Sequence, residues 1–471
     1  MIGESLSETL FNYAKINPEK ISVIDIAAKE RLTYKELYDQ VRELASYIQS
    51  KQVKNLVMLL PGGRYNSVAW LACLVSGVTL IPLSPLTAEA ELESIKEEFQ
   101  PDLILDYQTA QKIFSKLDKT SKFQDRQKNS ALILFTSGST GEPKRVRLSA
   151  NMLTLTAKNI INAHELTDED RCLTPLPFFH INAPVVSLLS SILSGGQVII
   201  ADKYSTSKFW SWVEEYKPTW LSLVPTLTSM LLTTEKPEGL DDSEIRFVRT
   251  ASAPLPVSVM HGFEEKFNLA VVETYGISEA GSTIFANPVP PKKRKAGSVG
   301  LPAGIEAKLC EPESLRTVNT GEIGEVVIKG ENVISSYMYD RGKDSFMGGW
   351  FRTGDLGYFD DDGYLFLTGR KKDIIIRGGE NIFPREIEEA IMLDSNIREA
   401  AVVGKPDDIY GEKTVAFIVS KHGVQDETNL KNSLQSRLTK TKLPDEYFFL
   451  EEMPKTKTNK IDKVKLRGMA V

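Results

Sequence analysis

The chain has 471 residues, 41% hydrophobic and 25% charged, an ordinary soluble composition that is too long for one core, so two or three domains are expected. Its net charge of −6 creates no field favouring nucleic acid or an anionic membrane surface. Three scattered cysteines and four histidines without metal-ligand spacing argue against a disulfide framework and a zinc site, and no apolar run approaches the ~18 residues of a membrane span.

The opening stretch MIGESLSETLFNYAKINPEK is polar and acidic, unlike a secretory signal, which makes a cytoplasmic protein the expectation. Thr33-Tyr34-Lys35-Glu36 is a capping box, and Leu37, Val41, Leu44, Ala45 and Ile48 behind it share one helical face. NLVMLL reads as a buried strand ended by Pro61-Gly62-Gly63. Helical AWLACLVSG then leads to a second strand, VTLIPL. The alternation continues through ALILF, GGQVIIA, TWLSLV, IRFVRTA and LAVVETYG, which predicts α/β architecture with largely parallel sheets and ligands near the strands' carboxyl ends.

After about Lys292 the texture changes. The basic run Lys292-Lys293-Arg294-Lys295 reads as a solvated loop, with a phosphate or thiol-partner contact as the alternative. GEIGEVVIKG and GYLFLTG look like antiparallel hairpins, and GRKKDIIIRGG suits a linker into a separate unit. Beyond it, AAVVGKPDD, GEKTVAFIVS and NLKNSLQSRLTK read strand, strand, helix, a small α+β domain of about 100 residues. There is no internal repeat and no low-complexity segment.

The stretch LILFTSGSTGEPKRV, residues 132–146, runs from an apolar strand into a small, hydroxylated loop that ends in lysine. Such a loop can hold phosphate through backbone N–H groups and hydroxyls. Its spacing is not that of a Walker P-loop, which disfavours a nucleotide hydrolase of that type, and a plain connection between strands is the alternative. Other segments settle the choice when taken in order: PLPFFHINA (175–183), TYGISEAG (274–281), GWFRTGDLGYFDDDGYLFLTGRKKD (349–373), GGENIFPREIEEA (378–390) and PKTKTNKIDKVKLR (454–467). Together they resemble the adenylate-forming superfamily of acyl-CoA synthetases, peptide-synthetase adenylation domains and firefly-type luciferases. Weaker similarity, as in LTYKELYDQVRELA, extends over essentially the whole chain.

The resemblance implies a large N-terminal domain (1–370) of mixed and parallel sheets with flanking helices and a β-barrel-like subdomain. It also implies a small mobile α+β domain (371–471) that carries a catalytic lysine. The implied chemistry activates a carboxylate by attack on the α-phosphate of ATP and then passes the acyl group to a thiol. Both reactants are anions, so the site must supply positive charge where negative charge develops. Thr136, Ser137, Gly138, Ser139, Thr140 and Lys144 would hold the β- and γ-phosphates. Glu279 would bind Mg²⁺, a hard cation suited to oxygen ligands. Tyr275 would stack on adenine, with Ser252, Ala253 and Pro254 walling its other side. Asp355, assisted by Arg370, would hold the ribose hydroxyls, and Ser278, where the family usually has threonine, would keep an α-phosphate contact. Taken singly, Asp355 could serve a turn, Tyr275 the core and Glu279 a helix start.

Lys460 stands where the family's lysine reaches from the small domain into the site, although Asn459 replaces the usual preceding glycine. Register with Pro454 and Ile461 selects it over Lys455, Lys457, Lys463 and Lys465. His180 falls at the mouth of the acid pocket, where it would position the carboxylate or gate the thiol path; a core histidine is the alternative. PFFHINA offers no aspartate to pair an α-ammonium, which favours a non-amino acid. Lys372 is the implied hinge, and Gly378, Gly379 and Glu380 would line a pantetheine tunnel. The thiol is expected to be coenzyme A, with an acyl carrier protein's phosphopantetheine arm as the alternative. Arg145, Ala150 and Ser336 depart from the family's usual residues.

Overall fold

The computed structural model describes residues 5–120, 122–136, 144–340, 342–394, 396–421, 427–456 and 460–470. Ser137, Gly138, Ser139, Thr140, His422 and Asn459 lie outside the described residues. The capping box at Thr33 starts a helix, Tyr34–Ser50: Glu36 N–H donates to the Thr33 hydroxyl at 3.1 Å, and Thr33 N–H donates to the Glu36 carboxylate at 2.8 Å. Its stripe Leu37, Val41, Leu44, Ala45 and Ile48 is buried and packs on Arg64–Ser76, a helix buried along nearly its whole length. Each such Leu or Ile removed from water stabilises the fold by about 1.5–3 kcal/mol.

Two sheets form the larger part of the molecule. In the first, five-stranded, Leu103–Asp106, Asn55–Leu59, Thr79–Pro82 and Ala131–Thr136 run parallel, and Lys144–Ser149 closes the edge antiparallel. The second has nine strands. Val271–Ile277, Phe247–Thr250, Trp220–Leu223, Arg171–Thr174, Gln197–Ile200 and Ile21–Asp25 form its parallel centre. Antiparallel Ser282–Ala286 and Glu30–Thr33 flank that centre. The central strands are apolar on both faces because helices cover both sides. Ala150–His164 is one of them, capped by the Ser149 hydroxyl, with Ala150 buried at its first position.

A third sheet, antiparallel and five-stranded, joins the hairpin Glu306–Cys310/Gly324–Lys329 to the hairpin Trp350–Phe359/Leu365–Arg370. The basic run beside it is neutralised by its own surroundings. Lys292 pairs with Glu165, Lys293 with Asp362 at 3.2 Å, Arg294 with Glu264, and Lys295 with Asp360 and Asp362.

The fourth sheet, built from Ile375 onward, pairs Ile397–Asp407 with Gly411–Ser420 as a long hairpin and adds Ile375–Arg377, Glu380–Ile382 and the parallel strand Glu446–Phe449. The expected linker is therefore partly strand. Gly378 and Gly379, at φ +58° and +84°, make the two-residue turn joining Arg377 to Glu380, a backbone shape that favours glycine at both positions. Helix Pro384–Met392 packs on this sheet and also reaches the larger part of the molecule, where the Ser258 hydroxyl donates to the Met392 carbonyl at 3.1 Å. Under that contact lies Glu273, 2% exposed. One carboxylate oxygen accepts from Leu255 N–H at 3.3 Å, and the other has no hydrogen-bond partner among the described residues. Burial outweighs the nearby Arg385 charge and pushes this carboxyl up to about 7. Among the described residues no helix is long and apolar enough to cross a membrane.

Candidate active site

The strands of the nine-stranded sheet deliver their loops to one edge, the carboxyl ends, where ligands gather in open α/β sheets. Phe247–Thr250 runs into Ser252, Ala253 and Pro254, all exposed, with Ser252 at φ +78°. Val271–Ile277 carries Tyr275 and turns through a short 3₁₀ segment, Ser278–Ala280. Gly276 sits at a bulge in this strand, and a Cβ there would lie 2.2 Å from the Ser282 carbonyl oxygen, so the turn toward Ser278 depends on a bare backbone.

Tyr275, Asp355 and Arg370 come together. Asp355 and Arg370 stand opposite each other in the Trp350–Phe359/Leu365–Arg370 hairpin. The Arg370 Nε lies 2.9 Å from the Asp355 carboxylate, and the Tyr275 hydroxyl donates to the same carboxylate. Burial and the Asp355 charge hold the Tyr275 phenol well above its ordinary pKa, while Asp355 keeps Arg370 more firmly protonated.

A second group joins Lys144, Tyr337 and Glu279. The Tyr337 hydroxyl donates to Glu279 at 2.7 Å, and the Lys144 ammonium lies 4.5 Å from the centre of the Tyr337 ring. The turn carrying Glu279 is anchored from behind. Thr156 Oγ1 and Asn332 Nδ2 both donate to the Ala280 carbonyl, at 3.0 and 3.3 Å. Sequence reasoning missed Tyr337, Asn332 and Thr156, which hold the site from segments without a recognisable motif. Thr136 ends its strand beside Lys144, its hydroxyl donating to the Lys144 carbonyl at 3.4 Å. Arg145 forks onto Glu98 at 3.0 and 2.8 Å and lies over the Phe135 ring, so this departure fastens strand to helix. Ser336 is an exposed neighbour of buried Tyr337.

Lys460 reaches these groups from the far end of the chain. Its loop is closed by Thr456 N–H donating to the Lys460 carbonyl at 2.7 Å and by Asp462 N–H donating to the Pro454 carbonyl at 2.9 Å. By accessible surface the residue is exposed. Even so, the protein around it displaces enough water, with Arg370 adding repulsion, to pull the ammonium below its ordinary pKa, while Asp355 and Glu279 act the other way. Desolvation, then the Lys460 charge, lowers His180 to about 4, leaving a neutral imidazole at neutral pH. Its ring centroid lies 4.4 Å from that of Phe179.

The structure thus gathers Thr136, Lys144, Tyr275, Glu279, Asp355, Arg370, His180 and Lys460, with Ser278 opening the Glu279 turn. It does not bring in Lys372, exposed in a 3₁₀ turn, nor Gly378, Gly379 and Glu380, whose hairpin tip is held by Gly378 N–H donating to the Tyr410 carbonyl at 2.8 Å. Two amino groups and a guanidinium around one cleft suit a polyanion. Glu279 offers one carboxylate, and the described residues contain no group of three or more His, Cys, Asp or Glu placed to hold a metal ion by themselves. A divalent cation fits here when Glu279 shares it with a nucleotide's phosphate oxygens.

The AMP-binding enzyme family profile matches residues 10–338, and that of the AMP-binding enzyme C-terminal domain matches 386–460. Sulfoacetate–CoA ligase of Cupriavidus necator is 39% identical over 344 residues, 72% of this chain and 67% of that one. Oxalate–CoA ligase of Arabidopsis thaliana is 31% identical over 507 residues, 98% of each chain. Among solved structures, ATP-bound MatB from Rhodopseudomonas palustris superposes with a TM-score of 0.91 at 25% identity, covering 98% of both chains.

Proposed function

The chain belongs to the AMP-binding enzyme family, and from that premise we propose that it is an acid–thiol ligase. It uses ATP to turn a non-amino carboxylic acid into an acyl-AMP and passes the acyl group to coenzyme A. The observation that carries this reading is that Lys460, from the last stretch of the chain, lies within electrostatic range of His180, Glu279, Asp355 and Arg370. The named relatives act on sulfoacetate and oxalate, both short acids with a second anionic group.

In the first half-reaction a carboxylate oxygen bonds to the α-phosphorus of ATP, the bond to the bridging oxygen breaks, and pyrophosphate leaves. Lys460 lowers the cost of bringing the carboxylate to the α-phosphate, a charge term that grows toward the transition state. Neutral His180 orients the acid. Lys144 and Thr136, with Ser137, Gly138, Ser139 and Thr140, hold the β- and γ-phosphates, and Ser278 contacts the α-phosphate. Tyr275 and the Ser252-Ala253-Pro254 wall flank adenine, while Asp355, steadied by Arg370, accepts from the ribose hydroxyls. Glu279, oriented by Tyr337, would hold Mg²⁺, which would supply positive charge against the phosphates. In the second half-reaction the thiol sulfur bonds to the acyl carbon and AMP leaves with the electrons of the broken C–O bond. Residues 371–471 move as a unit about Lys372 between the halves, bringing Gly378, Gly379 and Glu380 to the pantetheine arm.

The test is ATP–pyrophosphate exchange measured across a panel of carboxylic acids. Thioester and AMP are then quantified after coenzyme A is added. Exchange that depends on acid and Mg²⁺, followed by stoichiometric acyl-CoA and AMP, is the expected result. ATP cleavage indifferent to added acid would overturn the reading.

A further inference from the structure

Arg249 lies inside the strand Phe247–Thr250 and is 1% exposed, yet no carboxylate pairs with it among the described residues. One terminal nitrogen donates to the Asn182 side-chain oxygen at 2.6 Å and the other to the Thr283 hydroxyl at 3.2 Å. Its Nε–H is buried without any acceptor among the described residues. Two titratable neighbours, His164 and Cys172, are also without negative charge. Burial lowers His164 to about 3 and raises the Cys172 thiol, so both are neutral at pH 7. A buried cation served only by neutral acceptors is costly and is ordinarily compensated by an anion. Its own guanidinium is pulled down to about 9 by lost solvation, far below the usual arginine value.

Asn182 links this charge to the candidate site. That residue belongs to the π-helix Asn182–Leu189, two positions after His180, and its Nδ2 donates to the Ser252 hydroxyl at 3.1 Å. Thr283, Arg249, Asn182 and Ser252 thus form one hydrogen-bonded chain from the interior to the wall of the proposed adenylate pocket. Asn182 follows His180 by two residues and Ser252 opens the proposed adenine wall, so this chain of bonds ends beside the groups assigned to the acid and the nucleotide.

We propose that Arg249 is a specificity-determining residue that receives a second anionic group of the acid, so that the substrate is a short dianion such as a dicarboxylate or sulfocarboxylate. The inference rests on the acid–thiol ligase reading and sharpens it. A pocket built around an uncompensated cation strongly rejects acids lacking the second charge, because the cation then stays unpaired.

The experiment compares matched acids by ATP–pyrophosphate exchange: malonate with propionate, succinate with butyrate, and sulfoacetate with propionate. In the wild-type enzyme kcat/KM for the best dianion should exceed that of its monoanionic partner by roughly 10²–10⁴-fold. Arg249→Met should collapse that ratio toward unity, chiefly through KM for the dianion, and Arg249→Lys should restore part of it. Melting curves run in parallel report whether each variant folds, and the wild-type ratio decides the matter if neither does. Preference of the wild-type enzyme for monoanions, or an equal loss for both members of each pair in folded Arg249→Met, would overturn the inference while leaving the ligase reading intact. Exchange with no acid of either kind would overturn both.

Discussion

Replacing Lys460 by alanine removes the cation that the cleft holds below its ordinary pKa beside Arg370, Asp355 and Glu279. Acyl-AMP formation, read by pyrophosphate exchange, should fall by an amount worth about 3–5 kcal/mol, whereas thioester formation from supplied acyl-AMP should be largely spared. Equal damage to both steps would remove Lys460 from its proposed role. Glu273 carries a different consequence, for stability. Its carboxyl is raised from 4.5 to about 7 in the folded protein, so the folded state holds a proton that the unfolded chain has lost. The favourable contribution is complete below about pH 4.5 and disappears as pH rises to 7, amounting to about 3 kcal/mol. Denaturation midpoints should decline across that window and flatten above it, and Glu273→Gln should remove most of the slope. At this scale the sequence was readable where a residue sits in a motif. Lys460 was singled out by register with Pro454 and Ile461, and the structure closes its loop at the same residues. Tyr337 and Arg249 were not readable in this way: one sits in the unremarkable run ISSYMYD, the other in what reads as an ordinary strand.

Elements were legible wherever the backbone needs particular chemistry. The Thr33 capping box begins its helix, whereas the paired glycines at 378 and 379, expected in a linker, make a hairpin turn whose φ values favour glycine. The π-helix Asn182–Leu189 escaped, because an extra residue per turn leaves no mark on an apolar run buried on every side. The attachment of Lys144–Ser149 to helix Glu89–Phe99 escaped too, since Arg145 and Glu98 are distant in sequence. That fork, with both side chains about four-fifths buried, should contribute about 1–2 kcal/mol. Arg145→Ala should therefore lower the melting temperature, and a cycle with Glu98→Ala should show strong coupling between the two. Because Lys144 precedes the clamp, the variant should also weaken ATP binding more than acid binding, measurable as a rise in KM for ATP.

For the whole molecule, the order of strands and helices announced an α/β protein with a smaller α+β unit behind it. The packing of that unit was not written in any local pattern, since it depends on distant pairs such as Ser258 with Met392. The proposed hinge has an informative setting. On one side Lys371 pairs with Glu313 of the third sheet's loops; on the other Asp373 pairs with Arg467 of the last helix at 2.6 Å. Lys372, between them, makes no ion pair among the described residues. It lies in a 3₁₀ turn, whose φ proline can adopt. Lys372→Pro should therefore hold the arrangement in which Lys460 faces Asp355 and Glu279. Pyrophosphate exchange should persist while thioester formation drops at least tenfold, the converse of Lys460→Ala. A parallel fall in both would count against the hinge.

Those flanking ion pairs also bear on how the small unit would travel in the proposed swing. In the proposed swing, with its neighbours fastened to different bodies, much of the freedom between them falls to the backbone torsions of Lys372. A body so tethered would sweep an arc rather than a volume and would meet a second docking surface without searching for it. Turnover in such an enzyme is then a matter of dwell time at the two ends of the arc, and a residue far from any reacting atom sets how that time is divided.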